Sequence, residues 1–337
     1  IKEALEHHLN ACSSYARYYS RCVGDRAPQA LALEQIPLIP TSVFKRQQVL
    51  SVPDDAVQKW CLSSGTQGER TRLGRDHVTL ERLLGSIRSG LQLVTPWEEH
   101  EVDMVHLGPD RDEAGDVWFM YVMSLTELIY PTQHFVQKGD FDAQGAAERI
   151  RSLVERDEGD VAIVTTPFQL LNLVEYLEDR QLKIRGGSTL SVFTAGGWKR
   201  HTGRMIPRDV FDARVVDGLG LNDQRSIRDV FNQVELNTVL FECSAHRKHL
   251  PPWVWAVARD PATLEPVENG QPGILSYLDA SATSYPCFLI TDDVGVVEEG
   301  LCGCGREGLT VQIHRRVTRT SARGCALALD KKNMEKR

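Results

Sequence analysis

The 337-residue sequence has no run of about 18 apolar residues, the length a helix needs to cross a bilayer, and residues 1–10 lack the apolar centre of a secretory signal. It reads as a cytosolic protein with no membrane span. There is no large excess of either charge: 39 basic residues stand against 46 acidic ones, for a net charge of −7, and the only charge block is the short tail 330–337. That balance disfavours a partner such as nucleic acid or an anionic membrane surface, while a small anionic ligand needs only local positive potential. Internal repeats and Ser/Gly-rich linkers are missing, and the eight cysteines are too scattered for a secreted disulfide framework, so free thiols are expected. Two catalytic signatures are also absent. No Gly-Lys-Ser/Thr closes a Walker loop, and no Gly-x-Ser-x-Gly elbow frames a hydrolase serine.

What remains is an ordinary globular composition, 42% hydrophobic and 25% charged with 26 glycines and 15 prolines. The length suits one composite domain over 1–337: an α/β part at 1–150, a second α/β part at 151–236 and a strand-rich part at 237–337. Helical spacing covers 1–19, and Ser42 can cap a short helix after Pro37 and Pro40. Asp76 can cap a long helix with Leu80, Leu83, Leu84, Ile87 and Leu91 on one face. Helices are then expected at 118–125, 141–154 and 167–177, alternating with extended segments at 102–107, 132–136, 161–165 and 189–194. Such alternation predicts a mostly parallel sheet flanked by helices. Shorter extended runs follow at 238–243, 254–258, 274–278, 288–291, 294–297 and 309–314.

Three segments can carry chemistry. Ser63-Ser64-Gly65-Thr66-Gln67-Gly68, after the apolar run Trp60-Cys61-Leu62, offers glycines that turn N–H groups toward an anion, hydroxyl donors, and Arg70 and Arg72 nearby. It reads as a strand followed by a phosphate-cradling loop, or more plainly as a polar turn. Gly196-Gly197-Trp198 ends a strand, where open α/β sheets hold ligands; a flat ring could stack there, or Trp198 is simply core. Glu235 in FNQVE suggests a Mg²⁺ ligand and Asp293 in ITDDVG a ribose diol acceptor, with Arg315-Arg316-Val317 following, although isolated acidic residues are usually just solvated. Cys243, His246, His249, Cys302 and Cys304 could be assembled into a zinc site, but Cys-x-Cys is not the usual chelate spacing and the pieces lie far apart, so zinc is not expected.

The order SSGTQG, GGW, FNQVE, ITDDVG, RRV resembles the adenylate-forming superfamily of acyl-CoA synthetases and peptide-synthetase adenylation domains. A closer resemblance is to the acyl-protein synthetase family of the bacterial bioluminescence fatty-acid reductase complex and related phenazine-pathway proteins. It runs through IPTSVFK, HLGPDR, WFMYVMSLTELIYPT, GGWK, IRDVFNQVELNT, RKHLPPWV, DASATSYP, ITDDVG and RGCALAL. The resemblance implies the adenylate-forming large-domain fold with a β-rich C-terminal part; typical superfamily members continue into a mobile lid domain, whereas this sequence stops 12 residues after Cys325, so the C-terminal lid is expected to be absent. It makes Ser63, Ser64, Gly65, Thr66 and Gly68 the ATP phosphate loop and Gly196, Gly197 and Trp198 the adenine-side turn. By the same comparison Glu235 is the Mg²⁺ ligand, Asp293 the ribose acceptor and Arg316 its helper, and Cys325 in RGCALAL is the acyl acceptor. Gln67 departs from the superfamily's second threonine, Arg70 and Arg72 stand where lysine is usual, and Asn232 replaces the glycine of the acidic motif.

The implied reaction is ATP-dependent conversion of a carboxylic acid to an acyl-adenylate, transfer to a thiol, and hand-over to a partner reductase that makes an aldehyde. A thiolate suits the second step because it combines nucleophilicity near neutral pH with a transferable thioester, and the basic residues Arg315, Arg316, Arg319 and Arg323 could lower its pKa. The substrate is a long-chain fatty acid or an aromatic, phenazine-type carboxylate. The competing reading is a catalytically degenerate nucleotide-binding subunit of a reductase complex.

Overall fold

The computed structural model describes residues 1–63, 70–95, 97, 102–198 and 203–316. The chain opens on two helices, α1 (Lys2–Ala11) and α2 (Ser13–Val23). The apolar spacing predicts a single helix here, but Cys12 is extended at φ −115°, ψ 92° and splits it, turning both Leu5 and Tyr15 into the core. The predicted cap at Ser42 is instead part of a 3₁₀ turn, Thr41–Val43, just after β1 (Ile39–Pro40).

Strands β2 (Lys59–Leu62) and β3 (Arg72–Arg75) pair antiparallel as a hairpin, and α3 (His77–Val94) follows. Asp76 caps α3 as expected, its carboxylate accepting from the Thr79 amide at 3.0 Å. Leu83, Ile87 and Leu91 of α3 are buried, each contributing about 1.5–3 kcal/mol by leaving water. Next come β4 (Val102–His106), α4 (Arg111–Ala114), α5 (Trp118–Ser124), β5 (Thr132–His134), β6 (Val136–Gln137), β7 (Asp140–Phe141) and α6 (Ala143–Arg156). Strand β8 (Asp160–Thr165), α7 (Pro167–Asp179), β9 (Leu190–Ala195), α8 (Arg208–Leu219), β10 (Ile227–Phe231) and β11 (Leu240–Phe241) complete the first sheet region.

That sheet has the order β11-β10-β9-β8-β4-β5, parallel throughout except for β11. The run Val161-Ala162-Ile163-Val164 is apolar without a break because both faces are covered. Val161 and Ile163 pack with α6, α7 and α8, whereas Ala162 and Val164 join the core shared with α3 and the second sheet. Helix α8 and strand β10 escape the sequence reading: their apolar residues are interleaved with Arg208, Asp209, Asp212, Arg228 and Asp229, several of which are paired with one another or with Glu242 rather than solvated.

The second sheet contains β12 (Lys248–His249), β13 (Val254–Arg259), β14 (Pro272–Asp279), β15 (Phe288–Leu301) and β16 (Glu307–Arg316), in the antiparallel order β12-β16-β15-β14-β13. Strand β1 pairs parallel with β15, through Ile39 and Leu289. The two runs expected at 288–291 and 294–297 are one long strand, β15, with a register shift against β16 at Val294/Gly295. Among the described residues no helix is long and apolar enough to cross a membrane.

Candidate active site

The segment singled out as a phosphate loop joins the strands of a hairpin. Its neck is closed twice: the Ser63 amide donates to Thr71 O at 3.0 Å, and the Thr71 amide donates to Ser63 Oγ at 2.9 Å. Ser64, Gly65, Thr66 and Gly68 lie outside the described residues. The neck is fastened to the acidic motif, because the Thr71 hydroxyl donates to Oε1 of Glu235 at 2.6 Å. Thr71 is fully buried and Glu235 is 5% exposed. Thr71 belongs to the 63–72 segment that the sequence singles out, but carries no role there; its burial against Glu235 is decided by the fold.

The turn carrying Glu235 is held from both sides. Arg75 is entirely buried; its Nη2 donates to Val234 O at 2.6 Å and to the Tyr285 hydroxyl at 3.0 Å, and its Nε donates to Asn237 Oδ1 at 3.1 Å. Its guanidinium lies 3.6 Å from the centre of the Trp118 ring, a cation–π contact in a dry setting. Asn232 accepts from Trp118 Nε1 at 2.5 Å and donates to Leu236 O and Thr238 O, both at 3.0 Å. This asparagine, where glycine is usual, therefore closes the turn with its own amide.

Gly196 and Gly197 follow β9 with φ of +80° and +59°. A Cβ on Gly196 would sit 2.4 Å from the Phe119 ring, so the position needs glycine both for its backbone and for the close approach of that ring. Trp198 meets Phe211 edge-on with centroids 5.8 Å apart and also lines the cavity described below.

Asp293 lies on β15, 4% exposed, its amide donating to Thr291 Oγ1 at 3.1 Å. The Tyr277 phenol is pushed well above its usual range by burial, with the Asp293 charge adding to it. The Tyr277 ring stacks on Phe231, centroids 6.4 Å apart. The loop neck thus bonds Glu235 directly, while Asp293 acts on Tyr277, whose ring stacks on Phe231 of the same segment. Asp293 faces Arg316 in the backbone register of β15 and β16. Cys325 lies outside the described residues.

A cavity of about 580 Å³ opens at the carboxyl ends of β4, β8 and β9, lined by Arg70, His106, Thr165, Phe168 and Trp198 and by the apolar Phe119, Met120 and Met123 of α5. The chain leaves β4 toward β5 on one side and β8 on the other, so the cavity sits at the point where strand order reverses, the usual ligand position in open α/β sheets. His106 is buried here with its Nδ1 2.9 Å from His134 Nδ1, and His134 Nε2 lies 2.9 Å from Glu127 Oε2. Burial, reinforced by His134, pushes His106 down to about 3, so it is neutral near pH 7. Gly108 leaves room for that ring: a Cβ there would be 2.6 Å from His106 Nε2.

As a donor set, one buried carboxylate beside a hydroxyl-rich loop fits Mg²⁺, which is usually held by one or two carboxylates with substrate phosphates and water completing its shell.

Comparison with known proteins extends these observations. Residues 1–334 match the family model described as acyl-protein synthetase, LuxE. Proteins called long-chain-fatty-acid–luciferin-component ligase are similar over most of their length. The one from Aliivibrio fischeri is 38% identical over 98% of this chain and 86% of its own, and the one from Vibrio harveyi 40% identical over the same shares. Among solved structures, 2-hydroxyisobutyryl-CoA ligase in complex with 2-HIB-AMP and CoA superposes with a TM-score of 0.68 at 16% identity, over 94% of this chain and 73% of that one. A long-chain-fatty-acid-CoA ligase from Archaeoglobus fulgidus gives 0.56 at 14% identity, over 79% and 52%. The fold is that of adenylate-forming ligases.

Proposed function

Because this chain belongs to the acyl-protein synthetase family, we propose that it is an acyl-activating ligase that uses ATP to convert a long-chain fatty acid to its acyl-adenylate and then passes the acyl group to a thiol. The observation that carries the reading is convergence. The loop neck is bonded to Glu235, and Arg70 at the same neck lines an apolar cavity that also reaches Gly197 and Trp198.

In the first half-reaction a carboxylate oxygen forms a bond to the α-phosphorus of ATP as the bond to the β-phosphoryl oxygen breaks, and pyrophosphate leaves in line. Ser63, Ser64, Gly65, Thr66 and Gly68 hold the phosphates, Gly196, Gly197 and Trp198 flank the adenine, and Asp293, with Arg316 as helper, accepts from the ribose hydroxyls. Mg²⁺ would be held by Glu235 and by phosphate oxygens, and when bound would offset the negative charge gathering on pyrophosphate. Phe119, Met120 and Met123 exclude water from the acyl chain, and neutral His106 adds no charge to that wall.

In the second half-reaction the Cys325 thiolate attacks the acyl carbon, a thioester forms and AMP leaves with the bonding pair. A partner reductase then consumes the thioester, releasing an aldehyde. The long-chain substrate follows the names of the relatives and the apolar lining. An aromatic carboxylate would need a flat slot, and the cavity is walled by flexible methionines as well as rings.

Carboxylate-dependent ATP–pyrophosphate exchange tests the first step, with fatty acids of increasing length beside phenazine-1-carboxylate. Exchange that rises with chain length supports the reading. Exchange with the aromatic acid alone would replace the substrate, and nucleotide binding without exchange would return the chain to a degenerate binding subunit. Intact mass after incubation with ATP and fatty acid tests the second step: an acyl adduct is expected, and is expected to vanish in Cys325→Ser.

A further inference from the structure

Four residues that the adenylation chemistry does not use meet where the two sheets join. The Sγ atoms of Cys243, Cys302 and Cys304 and a ring nitrogen of His249 all lie within 4.8 Å of one another. Cys243 follows β11 of the parallel sheet, His249 is in β12, and Cys302 and Cys304 form the tip of the β15–β16 hairpin. The Cys-x-Cys spacing and the distance between these pieces along the chain argue against zinc in the sequence alone; folding brings them together.

The two turns that present the cysteines are built alike. The Cys243 amide donates to Arg247 O at 2.8 Å and the His246 amide returns to Cys243 O at 3.0 Å. The Cys302 amide donates to Arg306 O at 2.8 Å and the Gly305 amide returns to Cys302 O at 2.9 Å. The third residue after each first cysteine is left-handed, His246 at φ +55° and Gly305 at φ +88°. Positive φ is uncommon for a residue other than glycine, although histidine is among those that adopt it most readily. The tips touch: a Cβ on Gly303 would lie 3.4 Å from that of Ala245.

The distances suit a tetrahedral ion. Cys243 Sγ and Cys302 Sγ are 3.8 Å apart, and zinc–sulfur bonds of about 2.3 Å give a tetrahedral edge of about 3.8 Å. Cys304 Sγ lies 3.2 Å from His249 Nε2, slightly inside the corresponding sulfur–nitrogen edge. None of the three cysteines is in a disulfide. His246 is engaged elsewhere, its Nδ1 3.2 Å from Glu242 Oε2, which leaves His249 as the nitrogen ligand. Three thiolates around a divalent ion leave one net negative charge. Two guanidiniums stand beside it: Arg306 Nη1 donates to Cys304 Sγ at 3.9 Å, and the half-buried Arg228 lies within electrostatic range of Cys243 and Cys304.

We propose that Cys243, His249, Cys302 and Cys304 bind one Zn²⁺ in a closed, tetrahedral S₃N site that pins the β15–β16 hairpin tip to the edge of the parallel sheet. All four positions are filled by protein, so the site is structural rather than catalytic, and none of its residues lines the cavity at the strand ends. It stands independently of the adenylation reading.

The test uses the full chain without a histidine tag, dialysed against metal-free buffer. About one zinc per chain by elemental analysis is expected. Replacement by Co²⁺ is expected to give the visible bands of tetrahedral cobalt with a sulfur-to-cobalt charge-transfer band in the near ultraviolet. Both are expected to fall at least tenfold in Cys304→Ser and in His249→Ala and to persist in Cys22→Ser, an exposed cysteine elsewhere. Should the variants fail to fold, the unmodified chain still decides: stripping the metal must expose three additional thiols to a thiol reagent. Zinc below about a tenth per chain with no cobalt bands, iron in place of zinc, or metal retained in both variants would each overturn the site.

Discussion

Where the two sheets meet, Lys248 is buried with its ammonium 2.8 Å from Asp229 and 3.3 Å from Glu242, while in the cavity wall His106 is equally buried and faces a second imidazole, His134. Burial alone would raise the Glu242 carboxyl, but the hydrogen bond with His246 and the charges of Lys248 and Arg208 overcome it and hold that group well below the usual carboxylate range. His106 has no such compensation and stays neutral. The seam between the sheets therefore keeps its charges by pairing them, whereas His106 in the cavity wall gives its charge up. The first arrangement ties the edges of the two sheets together, and the second leaves a neutral imidazole in the cavity wall, where Arg70 supplies positive charge.

Four measurements break or sharpen that contrast. The largest effect belongs to the seam: Lys248→Met leaves Glu242 buried with less compensation, and a loss of about 3–5 kcal/mol is expected in urea unfolding near neutral pH. A loss under about 1 kcal/mol would mean that Arg208 suffices. Glu235→Gln acts oppositely, costing little stability because the amide oxygen still accepts from Thr71, while ATP–pyrophosphate exchange falls about 100-fold or more, or about 2.7 kcal/mol. Gly196→Ala drives a methyl into Phe119 at a left-handed position and is expected to cost about 2–3 kcal/mol. In a double-mutant cycle with Phe119→Ala, the steric share of roughly 1–2 kcal/mol should return and the backbone share should stay.

The smallest effect is a pH dependence. His106 and His8 are both pushed down to about 3, chiefly by burial, from an unfolded value of 6.5. The unfolded chain then binds protons that the folded chain does not, so stability is complete above the unfolded value and falls as pH drops from 6.5 toward 3. Each histidine should remove about 0.7 kcal/mol between about pH 7 and pH 6. His106→Asn is expected to remove one proton from that slope, and an unchanged slope would show that the ring is charged in the folded state.

Much of this was legible in advance for a physical reason that particular residues show. The run 161–164 predicts a strand because alternate residues bury on opposite faces, and Asp76 announces α3 because a cap acts over three residues. Helix α8 and strand β10 were not legible, since Arg208, Asp212, Arg228 and Asp229 are anchored by ion pairs and backbone bonds to partners that include distant Glu242 and Lys248. Asn232 stood out only as a departure from a motif, yet its amide is what closes the turn that carries Glu235.

By itself, the sequence determined the alternation of helices and strands, the order of the phosphate-loop, glycine and acidic motifs, and through that order the family, because periodicity and short motifs are properties of neighbours along the chain. Only the tertiary structure decided that Thr71 bonds Glu235, that HLGPDR and WFMYVMS wall one cavity, and that Cys243 meets Cys302 at 3.8 Å across 59 intervening steps of sequence. Those contacts join residues whose local patterns carry no mark of one another. They come into being when two sheets pack and bury the side chains between them.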